Sequence, residues 1–139
     1  MAEVTVSGTI NADADQVWEL VSNFNGLDEF VEAVVDCITE GSGIGAVRTL
    51  TLADGGEVKE KLESLHPDKH LLTYSIVASP MPIENYNGSM KVKKVENGKS
   101  EFTWSSTFDA QVGTAKEMEE ALEGLYKLGV EGLQQKFPS

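Results

Sequence analysis

The segment TAKEMEEALEGLYKLGVEGLQQK, Thr114 to Lys136, decides how the rest of the chain must fold. Met118, Leu122, Leu125, Gly129 and Leu133 recur at helical spacing, so the segment reads as one helix with an apolar stripe. At ~1.5 Å per residue such a helix runs to about 35 Å. Thr114 followed three positions later by Glu117 has the pattern of a capping box. Gly124, Gly129 and Gly132 lower helix propensity, but small residues let a helix sit close to a neighbouring surface.

That neighbouring surface is predicted by what precedes the helix. EVTVSGTIN alternates as a strand from Glu3 to Asn11. Asp13 and Gln16 form a capping-box pattern for a helix from Ala14 to Val21. FNGLDEFVEAV reads as a second short helix after a break at Gly26. Strand signals then follow in series: Val34–Thr39, Ala46–Leu52, Glu57–Leu65, Leu71–Ala78, Asn85–Val95 and Ser100–Ala110. Most of their connectors are short and rich in Gly, Asn or Asp, as antiparallel hairpins require. Runs of strands with segregated helices imply an α+β fold. A seven-stranded curved antiparallel sheet must bury one face, and the long helix is the element able to cover it. A curved sheet wrapped on one helix leaves room for a cavity between them.

Composition narrows the function. The 139 residues suffice for a single domain, residues 1–139, with one sizeable core, and a 40% hydrophobic content fits a globular chain rather than a disordered one. The net charge of -12 disfavours nucleic acids and anionic membranes, both of which need a basic footprint. Cys37 is the only cysteine, which excludes an internal disulfide and any CxxC site. His66 and His70 flank the turn PDK and read as solvent-facing, so no metal is expected. No apolar run spans a bilayer and no signal pattern opens the chain, so a soluble, cytoplasmic protein without membrane insertion is expected. GSGIG joins two strands and opens no helix, so it lacks the context of a phosphate-binding loop, and no cofactor is expected.

Strand alternation turns three polar residues inward. Arg48 shares a face with Leu50 and Leu52, Glu60 with Val58 and Leu62, and Tyr86 with Gly88, Met90 and Val92. The inward face of the intervening strand is Leu72, Tyr74, Ile76 and Ala78, and the last strand adds Phe102, Trp104 and Phe108. Charged residues are rarely buried unless paired, so Arg48 and Glu60 are expected to meet in a guanidinium–carboxylate contact, with the Tyr86 hydroxyl completing the set. The connector SPMP precedes Tyr86; Pro80 and Pro82 stiffen it and present Met81 and Ile83 as an apolar rim or lid.

The ordered set ADQVWELVSNF, GSGIGAVRTL, EKLESLHPDKHLLTYSI, SPMPIENYNGSMKV and the closing helix resembles the START-like superfamily, the helix-grip fold of the birch-pollen allergen, also described as SRPBCC or polyketide cyclase/dehydrase-like. The nearest resemblances are to proteins like the methanol-oxidation accessory protein and lachrymatory-factor synthase, and more distantly to the abscisic-acid receptors. Arg48 in GAVR, Glu60 in EKL and Tyr86 in ENY stand where the synthase family lines its active cavity, and are by that resemblance cavity residues. The positions matching the receptors' gate and latch read ADGG and Met81-Pro82-Ile83, so the receptors' own motifs are missing.

The expected function is binding of a small hydrophobic or amphipathic molecule between sheet and helix, its polar end toward Arg48, Glu60 and Tyr86. Leu62, Tyr74, Met81, Ile83 and Met90 are expected to join them as ligand contacts, with Trp104, Phe108, Leu122 and Leu125 completing the wall. A second expectation is a cofactor-independent isomerase, cyclase or dehydratase in which Glu60 moves a proton while Arg48 and Tyr86 orient the substrate. A third is a protein-interaction module using Met81 and Ile83 as exposed contacts.

Overall fold

The computed structural model describes residues 1–138. The chain forms β1 (Ala2–Ile10), α1 (Ala14–Val21), β2 (Val34–Glu40), β3 (Val47–Leu52), β4 (Glu57–His66), β5 (Leu71–Ala78), β6 (Ile83–Glu96), β7 (Lys99–Ala110) and α2 (Ala115–Lys136). Each strand from β2 to β7 pairs antiparallel with the next, and β1 pairs with β7. The result is one seven-stranded sheet in the order β1-β7-β6-β5-β4-β3-β2, curved around α2 in a helix-grip fold.

The second short helix is present but shorter than its apolar spacing implies. Between α1 and β2 only Leu27–Glu29 makes a single 3-10 turn. The helical spacing of Leu27, Phe30, Val31 and Val34 arises because all four are buried as the segment turns toward β2. Its backbone bonds go outside itself as well: the Ala53 N–H donates to the Ala33 carbonyl at 2.9 Å. The Thr114 cap also differs. Its hydroxyl donates back to the Gln111 carbonyl at 2.7 Å instead of entering the helix. At α1 the Asp13 N–H does donate to Gln16 Oε1, at 3.3 Å.

Helix α2 buries Leu122, Tyr126, Gly129, Val130 and Leu133, while Leu125 and Met118 are half-buried at the edge of the stripe. Two of its glycines set the approach. A Cβ on Gly129 would lie 2.7 Å from the Trp104 ring, and one on Gly132 would lie 1.6 Å from the Phe30 carbonyl oxygen. Gly124 faces open space.

Bulges adjust the inward face. Between Glu84↔Asp109 and Asn87↔Thr107, β6 spends three residues against two on β7. Asn85 takes up the extra residue at φ 53°, in the left-handed region that asparagine tolerates, and its amide donates to Asp109 Oδ2 at 3.0 Å. This one-residue insertion lets Ile83 and Tyr86, three apart, share a face. A second shift, between Lys59↔Ala78 and Glu60↔Ile76, leaves Val77 as the extra residue on β5. It turns Ala78 outward, so Ala78 is exposed, contrary to simple alternation.

Candidate functional site

Arg48 and Glu60 are directly opposed in register on β3 and β4. Arg48 Nε donates to Glu60 Oε1 at 2.8 Å, and Nη2 lies 2.7 Å from that same oxygen without a well-aligned bond. Nη1 donates to the Phe24 carbonyl at 3.3 Å. The guanidinium lies 4.0 Å above the Phe24 ring centre and 5.2 Å from that of Tyr74, within cation–π range. Arg48 is 1% exposed. Burial pushes the Glu60 carboxyl above its ordinary value, and the adjacent Arg48 charge opposes that rise.

A second polar cluster lies on the same inward face. Trp104 Nε1 donates to the Tyr74 hydroxyl at 2.7 Å, and that hydroxyl bonds the Tyr86 hydroxyl at 2.9 Å. Tyr86 bonds Tyr126, which donates to Ser106 Oγ at 2.8 Å. These are all three tyrosines of the chain. They converge from β5, β6 and α2, with Trp104 and Ser106 supplied by β7. Tyr74 owes its position to Gly88, where a Cβ would come within 2.4 Å of its ring. Trp104 stacks on Tyr126 with ring centres 4.3 Å apart. Burial raises the hydroxyl pKa of Tyr74 and Tyr86 well above the ordinary value and that of Tyr126 to about 12.

Both clusters border a cavity of about 480 Å³ between the sheet and α2, within the size range of small-molecule sites. Its walls are mostly apolar: Leu27, Val34, Leu50, Val58 and Ile76 on one side, Leu122 and Leu125 on the other. Ala53, Asp54 and Gly56 of the β3–β4 turn and Pro80 and Met81 of the β5–β6 connector also line it.

Of the residues singled out from sequence, Glu60, Tyr74, Tyr86, Met81, Trp104, Leu122 and Leu125 line this cavity. Arg48 does not; Glu60, Phe24 and Tyr74 enclose it. Leu62 and Met90 are buried in the core beside it, each opposite an aromatic, Tyr74 and Trp104 respectively. Phe108 is fully buried and stacks on Tyr86, and Ile83 pairs with Ala110 in the sheet. Met81 and Ile83 are half-buried, which corrects their reading as exposed contacts. The Tyr86 hydroxyl joins the other tyrosines instead of the Arg48–Glu60 pair.

Sequence reasoning missed Tyr126, Ser106, Phe24 and Asp54. Tyr126 was legible: it stands four residues after Leu122 and four before Val130, on the buried side of α2. Ser106 lies on the Phe102, Trp104, Phe108 face by simple alternation. Among the described residues, no group of three or more His, Cys, Asp or Glu side chains could hold a metal, and no helix is long and apolar enough to cross a membrane.

Several known proteins are similar to this chain in sequence or fold. The chain is 33% identical to the protein XoxI from Bacillus cereus, whose structure superposes with a TM-score of 0.93 over 99% of this chain and 96% of that one. An aromatase/cyclase from Streptomyces shares the fold at a TM-score of 0.80 and 15% identity, covering 96% of this chain and 92% of its own. Among curated relatives, the abscisic acid receptor PYL2 of Arabidopsis thaliana is 27% identical over 97 residues, 66% of this chain and 51% of the receptor. Receptor PYL6 of the same plant is 26% identical over 93 residues, 63% of this chain and 43% of the receptor. The chain thus spans about half the length of the curated relatives it matches. Residues 1–138 match the family model described as polyketide cyclase / dehydrase and lipid transport, and the chain belongs to that family.

Proposed function

We propose that the protein binds a small hydrophobic or amphipathic molecule, such as a lipid or polyketide, in the cavity between sheet and α2. The observation that carries this reading is a cavity of about 480 Å³ with mostly apolar walls and a few convergent polar groups, Glu60 and the tyrosine hydroxyls. The ligand's apolar body would lie against Leu122, Leu125 and Val58, and its polar end would face Glu60 and Tyr86. Arg48 would act through Glu60, which it holds, and not by contact. The β3–β4 turn and the Met81 connector would form the mouth. Thermal-shift and native mass-spectrometry screens with fatty alcohols, sterols and aromatic polyketides test it. Stabilisation and one-to-one adducts are expected; a chain that retains no member of such a panel would sink the reading.

A second reading has a specific observation in its favour. Glu60 is a carboxylate on the cavity wall whose proton affinity is raised by burial. Such a group suits proton transfer in a cofactor-independent isomerisation, cyclisation or dehydration, worth ~10²–10⁴-fold. On any substrate found, Glu60→Gln should then abolish turnover while leaving binding largely intact. Undiminished turnover would remove Glu60 from the chemistry.

A further inference from the structure

The hydrogen-bond inventory of the cavity wall is one-sided. Its side-chain donors are the Trp104 indole and the hydroxyls of Tyr74, Tyr86 and Tyr126. Each has one proton to give. Trp104 spends its own on Tyr74, and Tyr126 spends its own on Ser106 Oγ. The bond between Tyr86 and Tyr126 must then be donated by Tyr86, and the bond between Tyr74 and Tyr86 by Tyr74. The relay runs from Trp104 through Tyr74, Tyr86 and Tyr126 to Ser106. Among the described residues, no side-chain donor on the wall remains uncommitted.

The acceptors are different. Arg48 Nε donates to Glu60 Oε1 and Nη2 lies beside that same oxygen without an aligned bond, while Oε2 takes no hydrogen bond among the described residues. Glu60 lines the cavity and is buried, so this oxygen is an open, sheltered acceptor on the wall. Among the described residues, the only other charged one on the wall is Asp54, also acidic, and the wall includes no Lys, Arg or His. A carboxylate ligand would meet two acidic side chains and, among the described residues, no free side-chain donor on the wall. A ligand with only acceptors would bury them unpaired, at a loss of affinity.

Resting on the binding reading above, we propose that the cavity selects neutral apolar molecules carrying a hydroxyl donor, alcohols or phenols, over carboxylates and over molecules that offer acceptors alone. The donor would be received by Glu60 Oε2. The preference is a property of the committed relay and not of cavity shape, so it should appear between molecules of near-equal size.

Calorimetric titration of the unaltered chain with 2-naphthol, 2-methoxynaphthalene and 2-naphthoate tests this. The naphthol is expected to bind about tenfold or more tightly than the methyl ether, the gain typical of a hydrogen bond to a charged acceptor. The carboxylate is expected to bind weakest of the three. Equal affinities, or a carboxylate that binds tightest, would overturn the donor inference while leaving small-molecule binding in place. Binding of none of the three, nor of any member of the wider screen, would overturn both. In Glu60→Gln the naphthol's advantage should shrink several-fold, since a neutral amide is the weaker acceptor; an unchanged advantage would contradict the role given to Oε2. Where that variant does not fold, the three-probe series on the unaltered chain still decides the matter.

Discussion

The two buried polar clusters are built in opposite ways. Arg48 and Glu60 face each other across one strand pair and satisfy each other with charge. The tyrosine relay is neutral, recruits β5, β6, β7 and α2, and exists only when all four are assembled. The charged pair is local and strong in its parts but expensive to interrupt, because a charge left alone cannot stay buried cheaply. The relay is distributed, so losing one hydroxyl shortens it without leaving a bare charge. One cluster therefore fixes the two strands at the cavity wall, and the other ties helix to sheet.

The largest expected effect follows from interrupting the pair. Glu60→Leu would leave the Arg48 guanidinium at 1% exposure without its carboxylate, at a loss of about 3–5 kcal/mol in urea unfolding. Replacing both residues, Arg48→Met with Glu60→Leu, should recover most of that loss, because apolar isosteres remove the unpaired charge. If the double variant is as unstable as the single one, the charge is not what makes the pair costly to break.

Next in size is the alkaline response of the relay. All three tyrosines are buried in it, so the tyrosinate absorbance of the folded protein reports on the cluster alone. Their folded pKa values are raised, Tyr126 to about 12 from 10. A group whose folded pKa is raised contributes stability below its unfolded pKa and loses it as pH climbs through the folded one. For Tyr126 that window is roughly 10 to 12, worth about 3 kcal/mol. No tyrosinate signal is expected until the chain unfolds, and its appearance should coincide with the loss of near-ultraviolet circular dichroism. A tyrosine titrating near pH 10 in the folded state would break the relay as described.

Tyr126→Phe should cost less, about 1–2 kcal/mol, since it removes the acceptor for Tyr86 and the donor to Ser106 but no charge. Urea unfolding measures it. A loss as large as that of Glu60→Leu would erase the distinction between the clusters.

The same contrast explains how much the sequence disclosed. Arg48, Glu60, Tyr74 and Tyr86 lie on strands, where a period of two sorts faces from a few residues, so their inward direction was legible. The pairing of opposite charges on adjacent strands followed. The buried side of Tyr126 was legible but its bond to Tyr86 was not, because that depends on a bulge at Asn85 and on which helical turn of α2 stands over β7. The stripe through Met118 and Leu125 placed the buried face of α2 slightly off; the close approaches at Gly129 and Gly132 turn it toward Tyr126 and Val130. Around Phe30 the helical spacing of apolar residues extends beyond the single 3-10 turn at Leu27–Glu29, because tertiary burial and not further helix produces the rest.

The smallest effect tests the charged pair at acid pH. Burial raises the Glu60 pKa above its ordinary value, and the Arg48 charge and hydrogen bond oppose that rise. The sign is nevertheless fixed by burial being the larger. Folded Glu60 holds its proton more readily than unfolded Glu60, so its contribution is fully present below about pH 4.5 and declines as pH rises through the higher folded value. The stability of the unaltered chain minus that of Glu60→Gln should therefore fall as pH rises above about 4.5, read by urea unfolding at a series of pH values. Exposed carboxylates are common to both proteins and cancel in the difference. A difference that rises with pH would mean that Arg48 outweighs desolvation and that the carboxylate is held ionised throughout, which would remove the raised proton affinity on which the proton-transfer reading of Glu60 rests.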